Sequence, residues 1–321
     1  MPSSLPASPP LHVVLGTGQV GQRLIDELLQ LGLRVRAVRR GAPTMARPHL
    51  EWLSGDLRNP SFAREVVRGA QVVYNTTNPE AYHRWEELLP PLVRAIREAA
   101  TAEGAKLVVL DNLYMLGLPA TTPFDEDTPM LPRSRKGELR KQLAEELAVA
   151  QSRGLVATTG RAPDFFGPGA GAMSAFGERL AHQLATGASI EVFGDPELPR
   201  SYAFVPDVAR GLAVLGTRDE SWGKVWHLPV AWRGTTRGLL EGIAAACGKK
   251  ARLRRVPDAF LAIAGVFNPT LGAIREMTYQ WKAPFVVDDR RFRATFSVEP
   301  TSAEEALRAS AQALVAPRAA A

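Results

Sequence analysis

The chain has 321 residues, 45% of them hydrophobic, and 39 Lys and Arg against 33 Asp and Glu, for a formal net charge of +6. That length suits two domains, or one domain with an elaborated lobe, and the apolar content supports a full core. The excess charge is Arg scattered along the chain, with no basic run interleaved with aromatics, so no nucleic-acid partner is expected. Cys247 is alone, which excludes an internal disulfide and fits a reducing, cytoplasmic setting. The five histidines (His12, His49, His83, His182, His227) never fall at ligand spacing, so no metal site is expected.

Residues 1–9 lack the basic and apolar regions of a signal peptide and read as a disordered tail. Leu11 to Leu15 is a buried strand running into Gly16-Thr17-Gly18-Gln19-Val20-Gly21 and then an amphipathic helix from Arg23. Strand, glycine turn and helix in that order suit the pyrophosphate of a dinucleotide. Gly16 permits the tight turn, Gly18 the approach of backbone to phosphate, and Gly21 close helix packing. The helix N-terminus offers free N–H groups and a favourable dipole. A second strand, Leu33 to Val38, ends in Arg39-Arg40-Gly41, and no acid occurs between Glu27 and Glu51. An acid near that place usually holds the ribose 2′-hydroxyl of NAD, whereas a guanidinium suits a 2′-phosphate. NADP(H) is therefore expected over NAD(H).

The rhythm continues through Leu50 to Ser54, a helix capped by Asn59-Pro60-Ser61, a strand Gln71 to Asn75, a helix from about Glu80 to Ala102, and a strand Lys106 to Leu110. A helix Gly137 to Ser152 leads to a strand Leu155 to Arg161. Apolar strands alternating with helices predict a Rossmann-type, doubly wound parallel sheet. Ligands then bind beyond the carboxyl ends of the strands, where Gly16 to Gly21, Arg39-Arg40, Asp56, Asn75 to Pro79 and Asp111 to Gly117 fall. Short strands and helices after Phe165 predict a smaller mixed α/β lobe. The expected division is 10–165 with about 201–230 for the dinucleotide-binding domain, and about 166–200 with 231–315 for the substrate lobe. Phe260 to Phe267 is too short to span a bilayer, and no membrane partner is expected.

These landmarks resemble the extended short-chain dehydrogenase/reductase group, the NAD(P)-dependent epimerase/dehydratase family. Gly55-Asp56-Leu57 is similar to the family's GDL, whose Asp meets the adenine amino group. Leu110 to Gly117 sits where relatives have a Ser-rich segment ending in Tyr-Gly. Arg161 to Pro168 is similar to Arg-Pro…Tyr-Gly-Pro, and Arg200…Phe204-Val205-Pro206-Asp207-Val208-Ala209 to Arg…Val-Asp-Asp-Val-Ala. The glycine turn, the strand-end arginines and this resemblance together give the expected cofactor contacts: Gly16, Thr17, Gly18, Gln19, Val20, Gly21, Arg39, Arg40, Asp56, Leu57, Asn75, Thr76 and Thr77.

The family's catalytic Tyr and the Lys four residues later are not reproduced: Tyr74, Tyr82, Tyr114, Tyr202 and Tyr279 are followed at that spacing by Asn78, Glu86, Leu118, Pro206 and Ala283. With Lys141 at the lysine position, the tyrosine position is Gly137 and the serine position Asn112. The candidates for catalysis are therefore Tyr114, Asn112, Asp111 and Lys141, and those for substrate contact are Asp164, Phe165 and Arg200. Each has a plainer alternative: Tyr114 as a core residue, Asp111 and Asp164 as loop caps, Lys141 as a solvated surface residue, Arg200 as one half of a salt bridge. The leading functional reading is an NADP(H)-dependent oxidoreductase acting on a small organic carbonyl or alcohol, as a monomer or homodimer. A non-catalytic NADP(H)-binding sensor and a sugar-nucleotide epimerase or dehydratase remain open.

Overall fold

A computed structural model of the chain describes residues 9–41, 46–169 and 176–315. Most of the tail expected at 1–9 lies outside the described residues.

Among the described residues twelve strands form three sheets: β1 (Leu11–Leu15), β2 (Arg34–Arg39), β3 (Leu50–Ser54), β4 (Val72–Asn75), β5 (Lys106–Asp111), β6 (Ala157–Arg161), β7 (Phe165–Phe166), β8 (Ile190–Val192), β9 (Pro199–Phe204), β10 (Val225–His227), β11 (Trp232–Thr235) and β12 (Leu253–Arg255). The large sheet runs β3-β2-β1-β4-β5-β6-β10 with all pairings parallel. β1 pairs with both β2 and β4, so the strand order reverses beside the glycine turn, where an open parallel sheet leaves its crevice. The fold is the expected Rossmann-type sheet with a smaller mixed lobe. That lobe holds the sheet β7-β9-β11, which mixes parallel and antiparallel pairing, and the pair β8-β12.

The helices of the first half are α1 (Gln19–Gln30), α2 (Pro60–Val67), α3 (Trp85–Glu103), α4 (Arg135–Ser152), α5 (Glu178–Thr186) and α6 (Val205–Thr217). Those of the second are α7 (Thr236–Ala246), α8 (Asp258–Phe267), α9 (Pro269–Met277), α10 (Arg290–Phe296) and α11 (Ala303–Val315). Alternation along the strands feeds two cores. Val14, Val35, Ala37, Val72 and Val108 meet Leu24 and Leu28 of α1 and Val208 and Leu212 of α6. Val13, Leu15, Val38, Val73 and Leu107 face α2 and α3 on the other side. Leu24 and Leu28 are fully buried, which stabilises by roughly 1.5–3 kcal/mol per side chain.

Two segments tie the halves together. β9 pairs with β7 and β11, while its Ala203 packs in the core of the large sheet. Phe292 and Phe296 of α10, expected in the lobe, pack on Trp226 in the core of the large sheet. Aromatic burial decides where α10 sits, and sequence distance does not.

Candidate functional site

Gly16 follows β1 at φ +87°, a conformation open to glycine, and its N–H donates to the Val38 carbonyl at 3.1 Å. Thr76 Oγ1 donates to the Gly16 carbonyl at 2.6 Å and ties the turn to the end of β4. A Cβ on Gly21 would collide with that same carbonyl, so α1 approaches β1 as only glycine allows. Gly18 is the opposite case: a Cβ there meets nothing within 4 Å. It caps α1 without a side-chain hydrogen bond, and the first turn carries no acid. The leading N–H groups therefore face an open surface, with the buried Gln19 Oε1 unpartnered beside them. This cradle fits a dinucleotide pyrophosphate.

Around the turn, Val20 is packed in the core, and Thr17 is half-buried. Asn75 is buried at the end of β4, its Oδ1 accepting from Thr77 N at 3.1 Å and Thr77 Oγ1 at 2.6 Å. Leu57 is buried under β3, while the Asp56 carboxylate is gripped by Arg58 at 2.6–3.0 Å. The hydrogen bonds from Arg58 hold the Asp56 carboxyl below its ordinary range. The arginines that had suggested a 2′-phosphate site are mostly engaged. Arg36 donates to Glu51 Oε2 at 2.8 Å and to the carbonyls of Val66 and Arg68, and Arg47 pairs with Asp26. Arg40 donates to Glu80 Oε1 at 2.7 Å, and Arg39 lies over Gly41. Glu80, forty residues on, brings to this edge the carboxylate that is missing from the local sequence.

The next cluster lies past β5. Asp111 Oδ1 accepts from Asn112 N at 2.8 Å and from Arg140 Nη1 at 3.0 Å, while Arg140 Nη2 donates to Asn78 Oδ1 at 3.0 Å. The Asp111 and Arg140 side chains are 9% and 10% exposed. Arg140 also stacks its guanidinium over Trp85 at 4.7 Å. Asn112 Oδ1 accepts the Tyr114 N–H at 3.0 Å, so it caps the turn. Tyr114 stacks on Trp85 and accepts a 3.3 Å hydrogen bond from the Tyr82 hydroxyl. Burial and the nearby Asp164 carboxylate push the Tyr114 hydroxyl up to about 12. Lys136 sits over the Tyr82 ring and pairs with Glu276 at 2.9 Å. Lys141, by contrast, is a half-exposed residue one step round α4 from Arg140.

Gly137 explains the missing tyrosine. A Cβ there would stand 2.7 Å from the Tyr114 carbonyl oxygen and 2.9 Å from Pro132 Cβ, because α4 starts directly against the turn Tyr114–Leu116. On the lobe side, Arg200 is buried, donating to Asp164 Oδ2 at 2.8 Å and to the Gln280 carbonyl at 2.7 Å. Phe165, in β7, is half-buried against the core of the large sheet. Asp111, Asn112, Tyr114, Asp164 and Arg200 thus converge at the strand ends. Sequence reasoning missed Arg140, Tyr82, Trp85 and Glu80. Arg140 was findable: Leu139 and Leu143 set the inward phase of α4, and 136 and 140 share it.

Comparison with known proteins adds the family. The model of the NAD dependent epimerase/dehydratase family matches residues 13–227. The chain belongs to this family. An uncharacterized protein of Sinorhizobium fredii is 23% identical over 265 residues, covering 80% of this chain, and the match spans 65% of that protein's length. Solved structures share the fold at lower identity. The dTDP-glucose 4,6-dehydratase of Bacillus anthracis in complex with NAD aligns at TM-score 0.76 and 16% identity, over 95% of this chain and 96% of that one. The Bordetella bronchiseptica enzyme WbmH in complex with NAD+ gives 0.72 and 17%, over 95% and 98%. The UDP-glucose 4-epimerase of Thermotoga maritima gives 0.74 and 18%, over 94% and 98%.

These findings overturn the expected preference for NADP(H). The relatives whose dinucleotide is named hold NAD, and the physical reason agrees: a 2′-phosphate at Arg40 would meet the Glu80 carboxylate already bound there. They also favour the epimerase/dehydratase reading over a general carbonyl reductase. Among the described residues no helix is long and apolar enough to cross a membrane, and no group of His, Cys, Asp and Glu is arranged to hold a metal ion.

Proposed function

We propose that the chain binds NAD and carries out oxidation–reduction at a hydroxyl-bearing carbon of a sugar nucleotide, as an atypical epimerase or dehydratase. The observation that carries this reading is the family match from the glycine turn to the last strand of the large sheet. The turn Gly16 to Gly21 would hold the pyrophosphate, Asp56 and Leu57 the adenine side, and Asn75 to Thr77 the crevice wall. Bound NAD supplies a carbon that takes up and returns a hydride.

The chain's own part is to hold the substrate oxygen and move its proton. Tyr114 is our candidate for that proton. Burial keeps its hydroxyl protonated, so Tyr114 would donate in the returning half-reaction, when hydride comes back to the substrate and an alkoxide forms. The proton released from the substrate hydroxyl in the first half, as the hydride leaves, would go to the Asp164 carboxylate nearby. Tyr82 and Trp85 fix the ring, and the Asp111–Arg140 pair braces the turn that carries it. Asp164 and Arg200 would line the substrate side. The crowding at Gly137 supports one rival reading, an NAD-binding protein without turnover.

The test is calorimetry with NAD+ followed by a screen of UDP- and dTDP-sugars by proton NMR. NAD+ binding and conversion of one sugar nucleotide are expected, with Tyr114→Phe lowering kcat about 10²–10⁴-fold and leaving NAD+ affinity within about twofold. Conversion unaffected by Tyr114→Phe removes Tyr114 from the role. Tight NAD+ binding with no conversion of any sugar nucleotide supports the non-catalytic reading.

A further inference from the structure

The hairpin of α8 and α9 is anchored by few buried side chains. The ten residues of α8 bury Leu261 alone and the nine of α9 bury Ala273 and Met277, whereas the twelve of α1 bury five. The two helices pack mainly on each other. They close up near the tip, where a Cβ on Gly265 would stand 3.0 Å from Gly272 Cα. At the root they part around a surface pocket of about 350 Å³, with Asp258, Leu261 and Ala262 on one side and Arg275, Thr278 and Lys282 on the other. Elements held by so little apolar burial open locally well before the whole molecule unfolds.

What α9 covers is the candidate site. It packs on the turn Tyr82–Arg84, where Thr270 Oγ1 lies 3.4 Å from His83 Nδ1. At the other end of α9, Glu276 reaches across to the start of α4. Its Oε1 accepts from Lys136 N at 2.9 Å and its Oε2 from Lys136 Nζ at 2.9 Å. The same ammonium lies 4.7 Å over the ring of Tyr82, whose hydroxyl meets that of Tyr114. The Lys136 side chain is 6% exposed and that of Glu276 20%. A two-point charge contact on an otherwise loosely anchored element sets one position for it. Glu276 is exposed enough to be rehydrated when the contact parts, so the contact can be broken and remade.

We propose that α8 and α9 form a lid over the cluster of Tyr82, Tyr114 and Asp164, latched by Glu276 on Lys136. Its ends are fixed. Val256 ahead of α8 donates its N–H to the Val192 carbonyl at 2.9 Å, and behind α9 the buried Gln280 holds Arg200 through its carbonyl. The motion is therefore a swing about Pro257 and the turn Thr278–Trp281. Opening admits a ligand to Tyr114, and closure excludes water from proton transfer there. That purpose rests on the proposed sugar-nucleotide chemistry; the motion itself does not.

The experiment is hydrogen–deuterium exchange of the full chain without ligand, read by mass spectrometry of its peptides. In the unaltered chain the amides of α8 and α9 should exchange about 100-fold faster than those of α1 and β5, or more. Lys136→Met removes the latch and leaves behind only a carboxylate that water can reach. It should speed exchange in α8 and α9 by a further factor of about ten and leave α1 and β5 within about twofold. Glu276→Gln breaks the same contact from the lid side and should loosen the same two helices, so the test survives if one variant does not fold. Protection of the hairpin equal to that of α1 overturns the inference. So does exchange that neither variant alters, or acceleration spread evenly over the chain in both, which would make the pair a brace of the whole fold. The readout needs neither NAD+ nor turnover. A failed sugar-nucleotide screen therefore leaves the lid standing, and a rigid hairpin leaves the screen untouched.

Discussion

Gly18 and Gly21 stand three residues apart in one turn and do opposite physical work. Gly18→Val puts a branched side chain into open space at the mouth of α1, so the fold should survive while NAD+ binding falls below detection. Gly21→Val drives its side chain into the Gly16 carbonyl, so the melting temperature should fall whether or not NAD+ is present. Calorimetry and thermal melts on the two variants separate the cases, and equal NAD+ affinity in Gly18→Val would move the pyrophosphate elsewhere. Gly137 obeys the second rule. Gly137→Tyr restores the family's residue on paper, but its Cβ would press on the Tyr114 carbonyl at 2.7 Å and on Pro132. Overpacking of this kind costs about 1–3 kcal/mol. A drop of that size in urea stability, with no gain in turnover, is the expected result; a stable and faster variant would contradict it.

At the level of elements, the site depends on β5 and α4 being held together by charge. The Asp111–Arg140 pair is buried, and its loss leaves a charge without a partner. Removing one member of such a pair typically costs 3–5 kcal/mol, whereas removing both costs less than the sum. Arg140→Leu and Asp111→Asn should each lower unfolding free energy by about 3 kcal/mol, and the double variant should show coupling above about 1 kcal/mol. Additive losses would mean that the two side chains stabilise independently. The elements themselves were legible in advance, because strand runs, capping Asn59 and the apolar phase of α1 are local signals. Partnerships across the chain were not legible. Glu80 reaches Arg40 and Glu276 reaches Lys136 over intervals that no local pattern encodes. The cofactor expectation failed for that reason, since an acid-free interval in sequence is not an acid-free surface in space.

For the whole molecule, the two buried histidines set the acid limb of stability. His12 in β1 shares a 3.0 Å hydrogen bond with the Tyr74 hydroxyl, and His227 in β10 one of 3.0 Å with the Asp288 carbonyl. They are 2% and 0% exposed, and burial lowers both from 6.5 to about 4. A histidine whose folded pKa is depressed is protonated first in the unfolded chain. Its neutral burial is therefore fully tolerated above pH 6.5, and stability falls as pH drops from 6.5 toward 4. Each site contributes at most about 3 kcal/mol over that window. Burial also raises Glu126 and Asp207, and raised carboxyls act with the opposite sign as pH falls. The measurement that isolates the histidines is urea denaturation from pH 7.5 to 4.5 on the unaltered chain and on His12→Gln with His227→Gln. The unaltered chain should lose several kcal/mol across the window, and the double variant should show a flatter dependence whatever its stability at pH 7.5. Parallel curves would clear the two histidines of the dependence in this window; carboxylates such as Asp56 and Asp288, which arginine hydrogen bonds hold below their ordinary range, lose their stabilisation only as pH falls below about 4, outside it.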